Sequence, residues 1–212
     1  MCIHSRSEAA EPSSEKTFGN SPDTASVHSI VIDAPLARSC ADSLFETAAE
    51  AIKVLRLRGE SVALAESCTG GLLAAALASV PGASDVLNSS AVVYQTRAKS
   101  SLLGLDAGFV DRFCPVSPEV TAALAKAARE KNGVELGAAV TGWAGPSGGT
   151  ATDPVGTCYI AVSRVQGTTC FRLAIEGDRN QVRNAAACTA LKIISGNIQP
   201  EALSAQMNFL SR

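Results

Sequence analysis

Histidine is nearly absent from this chain of 212 residues, and its scarcity limits the chemistry that the chain can support. The two histidines, His4 and His28, both lie in the N-terminal stretch. A Ser-His-Asp triad, or a metal site with histidine ligands, is therefore excluded for the rest of the chain. If the protein is an enzyme, its general base must be a lysine, tyrosine, glutamate or aspartate.

The chain also lacks the patterns of a disulfide framework, a zinc site, a membrane span or a nucleic-acid interface. Its seven cysteines are an odd number and include no C-x-x-C pair, so we expect free thiols in a reducing, cytoplasmic compartment. A formal net charge of −2 gives no reason to expect nucleic acid or a membrane surface as a partner. No apolar run approaches the roughly 20 residues that span a bilayer. We expect no metal and no other cofactor.

Two parts of the chain differ in composition. Residues 1–38 are rich in serine and acidic residues, show no apolar period and contain no apolar run of the signal-peptide type, so they are predicted to form a disordered tail. Residues 39–212 have a size and an apolar content that suit one globular domain with a buried core.

The domain alternates between predicted helices and predicted strands. We predict helices over 42–58, 69–79, 97–103, 117–131 and 178–194, and strands over 61–65, 91–94, 136–141, 156–165 and 168–175. Gln166-Gly167 predicts a tight hairpin between the last two strands. Helices between the other strands indicate an α/β fold, a three-layer α/β/α sandwich with a mixed, mostly parallel sheet.

The most informative segment is Glu66-Ser67-Cys68-Thr69-Gly70-Gly71, which joins a predicted strand to a predicted helix. A turn of this kind directs free backbone N–H groups and the positive end of the helix dipole at a ligand above it. Its hydroxyl and thiol groups are candidate nucleophiles beside an oxyanion or phosphate site. Ser67 and Thr69 could equally be helix caps, and Cys68 is of a type that is more often buried than reactive.

Three further polar clusters follow predicted strands, where open α/β sheets bind ligands. They are Tyr94 to Lys99, Thr141 to Gly149 and Gly177 to Arg183. Taken alone, Tyr94 could simply pack and Lys99 could be a solvated charge. The glycine-rich second cluster lacks the G-K-[ST] ending of a P-loop, so a Walker ATPase is disfavoured.

Taken together, the clusters resemble one family. The chain carries, in this order, E-S-C-T-G-G, Y-x-x-x-A-K, T-G-x-A-G-P-x-G-G, P-V-G-T and G-D-R-x-x-V-R, within about Phe45 to Ile194. This series is similar to the C-terminal domain of CinA, whose family members are nicotinamide-nucleotide amidohydrolases, also called NMN deamidases. The predicted domain, residues 39–212, is accordingly identified as a CinA C-terminal-like amidohydrolase domain.

The resemblance implies a reaction and a set of site residues. The reaction is metal-independent hydrolysis of the carboxamide of nicotinamide mononucleotide (NMN) to nicotinate mononucleotide and ammonia. The family's nucleophile corresponds to Ser67, its tyrosine and lysine to Tyr94 and Lys99, and two further site residues to Thr141 and Arg179. The resemblance also implies a homodimer.

The residues themselves agree with that chemistry. With no histidine available, Lys99 is the best candidate for the general base, provided that its pKa is lowered. Tyr94 could relay the proton or bond Ser67 directly, and the sequence leaves this open. We expect the N–H groups of Thr69, Gly70 and Gly71 to hold the oxyanion of the tetrahedral intermediate.

The substrate phosphate needs a separate anchor. We expect Arg179 and the backbone of the glycine-rich loop, including Gly145 and Gly148, to supply it. The chain departs from the family pattern at Gln95, Thr96, Trp143 and Ser147, around the predicted pocket. These departures bear on substrate preference more than on reaction type.

Two alternatives remain at the level of sequence. One is a non-catalytic CinA-like domain that binds a nucleotide or a partner. The other is a cysteine amidase that uses Cys68. Because adjacent residues in a helical turn diverge by about 100°, only one of Ser67 and Cys68 can face the ligand.

Overall fold

A six-stranded mixed sheet is the middle layer of the protein, for which a computed structural model describes residues 26–198. The strands are β1 (Ser26–Ile32), β2 (Val62–Glu66), β3 (Leu87–Val92), β4 (Leu136–Gly142), β5 (Thr157–Arg164) and β6 (Gly167–Ile175), and they lie in the order β1-β6-β5-β4-β2-β3. Strand β2 is parallel to β3 and β4, and β1 is parallel to β6, whereas β5 is antiparallel to both of its neighbours.

Helices cover both faces of the sheet. They are α1 (Ala34–Asp42), α2 (Leu44–Arg58), α3 (Leu72–Ala78), α4 (Thr96–Leu103), α5 (Ala107–Phe113), α6 (Pro118–Asn132) and α7 (Arg179–Ile194), with a 3₁₀ turn at Ala83–Asp85. Helices α1, α2, α3 and α7 share one apolar core with the sheet, and α4, α5 and α6 share the other. The predicted three-layer α/β/α sandwich is confirmed.

The central strands consist of small and branched apolar residues because both of their faces are covered. Every residue of β2 is buried. At Gly137 of β4, a Cβ atom would overlap the carbonyl oxygen of Ala125 on α6. The absence of a side chain at Gly137 therefore lets α6 lie directly on the sheet and sets the height of that layer.

The predicted helix and strand boundaries agree with the structure for most elements, and the local signals explain the agreement. Ser117 accepts a hydrogen bond from the N–H of Val120 at 3.2 Å and caps α6, whose first residue is Pro118. Helix α5 was not predicted, because its seven residues, about two turns, carry too short an apolar pattern. Strand β3 begins at Leu87, earlier than the predicted start at residue 91.

The prediction of a disordered tail over residues 1–38 is wrong for residues 26–38. These residues form β1 and the start of α1, and Ile32 and Ala37 are buried. Strand β1 pairs with β6, which lies far away in sequence, so no local pattern predicts its place. The ring of His28 lies on Phe171, with centroids 5.7 Å apart. Residues 1–25 of the predicted tail and residues 199–212 of the predicted domain lie outside the described residues.

No helix within residues 26–198 is long and apolar enough to cross a bilayer. In the same part of the chain, no group of three or more histidine, cysteine, aspartate or glutamate side chains could hold a metal ion.

Candidate active site

Ser67 and Lys99 meet where β2 ends. The Nζ atom of Lys99 lies 3.3 Å from the Oγ atom of Ser67 and donates a second hydrogen bond to the carbonyl oxygen of Val93 at 3.0 Å. Helix α4 carries Lys99, whose side chain is only 1% exposed. Two residues that are far apart in sequence thus form a buried hydroxyl–amine pair at the carboxyl end of the parallel strands.

Burial changes the acid–base behaviour of Lys99. Desolvation lowers the pKa of its ammonium group from 10.5 to about 8. No carboxylate within the described part of the chain forms an ion pair with it. Since this pKa is about one unit above neutral pH, about a tenth of the molecules carry a neutral amine there, and that amine can accept the proton of Ser67.

Cys68 lies on the other side of the turn. It is buried in the core that α2, α3 and α7 form with the sheet. A thiol–thiol hydrogen bond from Cys68 is the main cause that raises the pKa of the Cys158 thiol. Ser67, and not Cys68, therefore faces Lys99.

A buried carboxylate, which the sequence analysis did not single out, organises the same turn. Glu66 is fully buried. Its Oε2 atom accepts hydrogen bonds from Thr69 Oγ1 (2.7 Å), Gly71 N–H (2.9 Å) and Leu73 N–H (3.1 Å). Its Oε1 atom accepts hydrogen bonds from Ala74 N–H (2.8 Å) and Ser90 Oγ (3.3 Å). The N-terminus of α3 is thereby closed by an anion from the chain itself. The available signal was an acidic residue just before a helix start.

This arrangement corrects the predicted oxyanion donors. The N–H of Gly71 donates to Glu66, and the N–H of Gly70 donates to the carbonyl oxygen of Ser67 at 3.0 Å. The prediction that both glycines hold an oxyanion is therefore wrong. The hydroxyl of Thr69 likewise donates its hydrogen bond to the carboxylate of Glu66. Among the residues that the structure describes, the N–H groups of Cys68 and Thr69 have no partner, and they remain as donors beside Ser67.

Tyr94 directs its hydroxyl to Arg179 and not to Ser67. Its side chain is half-exposed, and its Oη atom accepts a hydrogen bond from Nη2 of Arg179 at 2.6 Å. The Nη1 atom of Arg179 donates to the carbonyl oxygen of Gly145, also at 2.6 Å. Of the two groups that the sequence left open as the partner of Ser67, the structure brings Lys99 to it and Tyr94 to Arg179.

A second arginine on α7, one turn after Arg179, contacts the Ser67 turn directly. The Nη2 atom of Arg183 donates to the carbonyl oxygen of Thr69 at 2.9 Å. Asp178 caps the helix, since its side chain accepts from the N–H groups of Asn180 and Gln181. Two guanidinium groups and a helix N-terminus are therefore placed at one side of the turn. The i, i+4 spacing of G-D-R-x-x-V-R was the signal for Arg183.

The glycine-rich loop begins where β4 ends. Thr141 is buried, and its hydroxyl oxygen lies 2.7 Å from that of Thr121 on α6. Because the Thr121 hydroxyl donates to the carbonyl oxygen of Ser117, Thr141 is the donor in the pair. Further along, Gly148 has a φ of +103°, and a Cβ atom there would lie 2.8 Å from the ring of Trp143. The indole Nε1 of Trp143 is buried without a partner among the described residues.

Comparisons with known proteins identify the family of the chain. The model of the CinA C-terminal domain matches residues 45–198. A CinA-like protein of Anaeromyxobacter sp. (strain K) is 47% identical over 140 residues, and one of Myxococcus xanthus is 44% identical over 148 residues. These alignments cover 66% and 69% of this chain but 34% and 35% of the relatives. The chain thus spans about a third of the length of the curated relatives that it matches.

Solved structures share the fold. The competence/damage inducible protein CihA of Agrobacterium tumefaciens aligns with a TM-score of 0.70 and 33% identity, over 74% of this chain and 96% of that one. The competence damage-inducible protein A (ComA) of Klebsiella pneumoniae aligns with a TM-score of 0.69 and 31% identity, over 72% of this chain and 95% of that one. The chain therefore belongs to the CinA C-terminal domain family.

Proposed function

We propose that the protein is an amidohydrolase that converts NMN to nicotinate mononucleotide and ammonia through an acyl-enzyme on Ser67. The observation that carries this proposal is the distance of 3.3 Å between Ser67 Oγ and the Nζ atom of the buried Lys99. A serine hydroxyl becomes a useful nucleophile when a neighbouring base removes its proton. Lys99 can be that base because burial lowers the pKa of its ammonium group to about 8.

The steps follow from this pair. The neutral amine of Lys99 takes the proton of Ser67 as Oγ bonds to the carboxamide carbon. The N–H groups of Cys68 and Thr69 stabilise the oxyanion, at about 3 kcal/mol for each well-placed donor. The ammonium of Lys99 then protonates the departing nitrogen, and ammonia leaves an ester on Ser67. Water, deprotonated by Lys99, attacks the ester and releases the carboxylate and the free hydroxyl.

The phosphate of the substrate is assigned to α7. Glu66 already occupies the N-terminus of α3, and a second anion there would be repelled. Arg179 and Arg183 lie in the first two turns of α7, and their guanidinium groups attract a phosphate although Asp178 caps the helix itself. Tyr94, bonded to Arg179, is assigned to substrate binding and not to proton transfer. Thr141 lies buried at the same end of the sheet, with its hydroxyl donating to Thr121.

The remaining expectations from the sequence belong to the same proposal. We propose that the protein acts on a pyridine mononucleotide in the cytoplasm, as a homodimer, without nucleic acid, membrane or cofactor as a partner. Sedimentation equilibrium tests the homodimer.

Release of ammonia from NMN tests the reaction. The full chain should release ammonia and form nicotinate mononucleotide in equal amounts, and Ser67→Ala should abolish both while the circular dichroism spectrum stays unchanged. Cys68→Ala is the matched control and should keep most of the activity. Undiminished ammonia release by Ser67→Ala would refute the mechanism. No release by the wild-type chain would favour the non-catalytic binding domain.

A further inference from the structure

We propose that Glu66 is a positioning residue that sets the geometry of the Ser67–Lys99 pair without touching the substrate. The proposal rests on the proposed function, because it concerns the reactivity of Ser67. The structural observation is one buried carboxylate that holds three elements together at the point where β2 ends.

The carboxylate first fixes the turn that carries Ser67. Two of its hydrogen bonds come from this turn, from the hydroxyl of Thr69 and the N–H of Gly71. The other end of the turn is held by the N–H of Ser67, which donates to the carbonyl oxygen of Val140 at 2.9 Å. Because both ends are fixed, the N–H groups of Cys68 and Thr69 keep one direction, which is what an oxyanion site requires.

The backbone of Glu66 then connects the turn to the base. Its carbonyl oxygen accepts the N–H of Val93 at 2.7 Å, and the carbonyl oxygen of Val93 accepts a hydrogen bond from Nζ of Lys99 at 3.0 Å. The nucleophile follows Glu66 in the chain, and the base is held through Val93. A displacement of Glu66 would therefore change the distance between Ser67 and Lys99.

The side chain of Glu66 acts from the far side of the sheet. It points to the layer of α3, where Leu73 and Ala74 donate to it, whereas Ser67 faces Lys99 on α4. The carboxylate is buried by the chain itself and contacts neither Ser67 Oγ nor Lys99 Nζ. Its influence on the reaction must therefore appear in the reactivity of Ser67 and not in substrate affinity.

Glu66→Gln tests this inference with little change of shape. A glutamine can place its oxygen against Thr69, Gly71 and Leu73, but its NH₂ group then faces the N–H of Ala74, two donors without an acceptor. We expect kcat for NMN to fall about 10-fold or more, with KM within twofold, because small displacements of reacting groups are costly. Acylation of Ser67 by p-nitrophenyl acetate should fall by a similar factor at a temperature well below Tm.

The control variant is Asp33→Ala, which removes another side-chain cap, that of α1, far from Ser67. It should lower Tm without a change in kcat. Thr69→Val is the second test variant and removes one turn contact to Glu66; it should lower kcat several-fold.

The inference is overturned if Glu66→Gln, or Thr69→Val where the glutamine variant does not fold, lowers only Tm and leaves kcat and acylation at wild-type values. Failure of the proposed function has a different signature, since the wild-type chain would then release no ammonia from NMN. The rate of Ser67 acylation would still decide whether Glu66 positions the serine.

Discussion

Replacing Lys99 by methionine should make the protein more stable and inactive at the same time. The side chain is fully enclosed, and desolvation lowers the pKa of its ammonium group from 10.5 to about 8. At pH 7 both the folded and the unfolded chain carry mainly the ammonium form. The free energy that corresponds to the lowered pKa therefore destabilises the folded state in full. About 2.5 pKa units correspond to about 3 kcal/mol.

Methionine has a similar length and removes this cost, but it also removes the hydrogen bonds to Ser67 and Val93. The carbonyl oxygen of Val93 is left without this donor, at a cost of about 1 kcal/mol. We therefore expect Lys99→Met to raise the free energy of unfolding by about 2 kcal/mol at pH 7, equivalent to roughly 5 °C in Tm. The loss of the base should lower kcat by about 100-fold or more.

The pH dependence distinguishes this reasoning from a simple packing effect. Between about pH 8 and pH 10.5 the unfolded chain still binds the proton that the folded chain has released, so the stability of the wild-type protein rises with pH relative to the variant. The advantage of Lys99→Met should fade to about zero at pH 10. For the wild-type enzyme, kcat/KM should rise about tenfold per pH unit and level off above about pH 8, because the neutral amine is the active form.

Urea unfolding at pH 7 and pH 10, together with the ammonia assay, measures all of these quantities. A variant that is less stable than the wild-type protein at pH 7, or that gains stability equally at both pH values, would refute the assignment of a desolvated lysine. Retained turnover would refute its role as the base, and a raised KM with unchanged kcat would assign Lys99 to binding.

Two further predictions concern the phosphate site and the sheet. Arg179→Lys keeps the charge, but a lysine cannot reach Tyr94 and Gly145 together. We therefore expect KM for NMN to rise about 10-fold or more, with kcat nearly unchanged. Nicotinamide riboside, which lacks the phosphate, should be hydrolysed by this variant as fast as by the wild-type protein. An equal fall in kcat/KM for both substrates would contradict a phosphate role. Gly137→Ala should lower the free energy of unfolding by about 2 kcal/mol or more, because its Cβ atom would overlap α6. Gly133→Ala is the control: its Cβ atom would meet open space at a φ of +62°, and it should lower the free energy of unfolding by only about 1 kcal/mol. Equal effects in urea unfolding would contradict the close contact between α6 and β4.

The local sequence was sufficient for the fold class and for most of the elements. The alternation of strands and helices, the cap at Ser117 and the hairpin at Gln166-Gly167 depend on residues within a few positions of one another. Each of these signals could therefore be recognised from the sequence alone. Strand β1 was missed because a short strand after a serine-rich segment has no local signal strong enough to oppose the composition around it, and its partner is distant in sequence.

Part of the candidate site could likewise be predicted from the sequence, and part of it depended on tertiary packing. Motif order and the absence of histidine from the predicted domain led to Ser67 and to a lysine or tyrosine as its partner. The choice between Lys99 and Tyr94 depended on whether α4 turns its lysine inward to β2, which is a matter of packing between layers. The sequence of the turn predicted free backbone N–H groups. It did not predict that three of them, one in the turn and two in α3, would donate to the side chain of Glu66.

By itself, then, the sequence determined the architecture of three layers, the position of the reactive turn and the chemical types available for catalysis, because these follow from periodicity, turn residues and composition. Tertiary structure alone decided which base meets Ser67, which N–H groups stay free and where two arginines gather. Those properties are distances between elements far apart along the chain, and only the packing of helices against the sheet sets such distances.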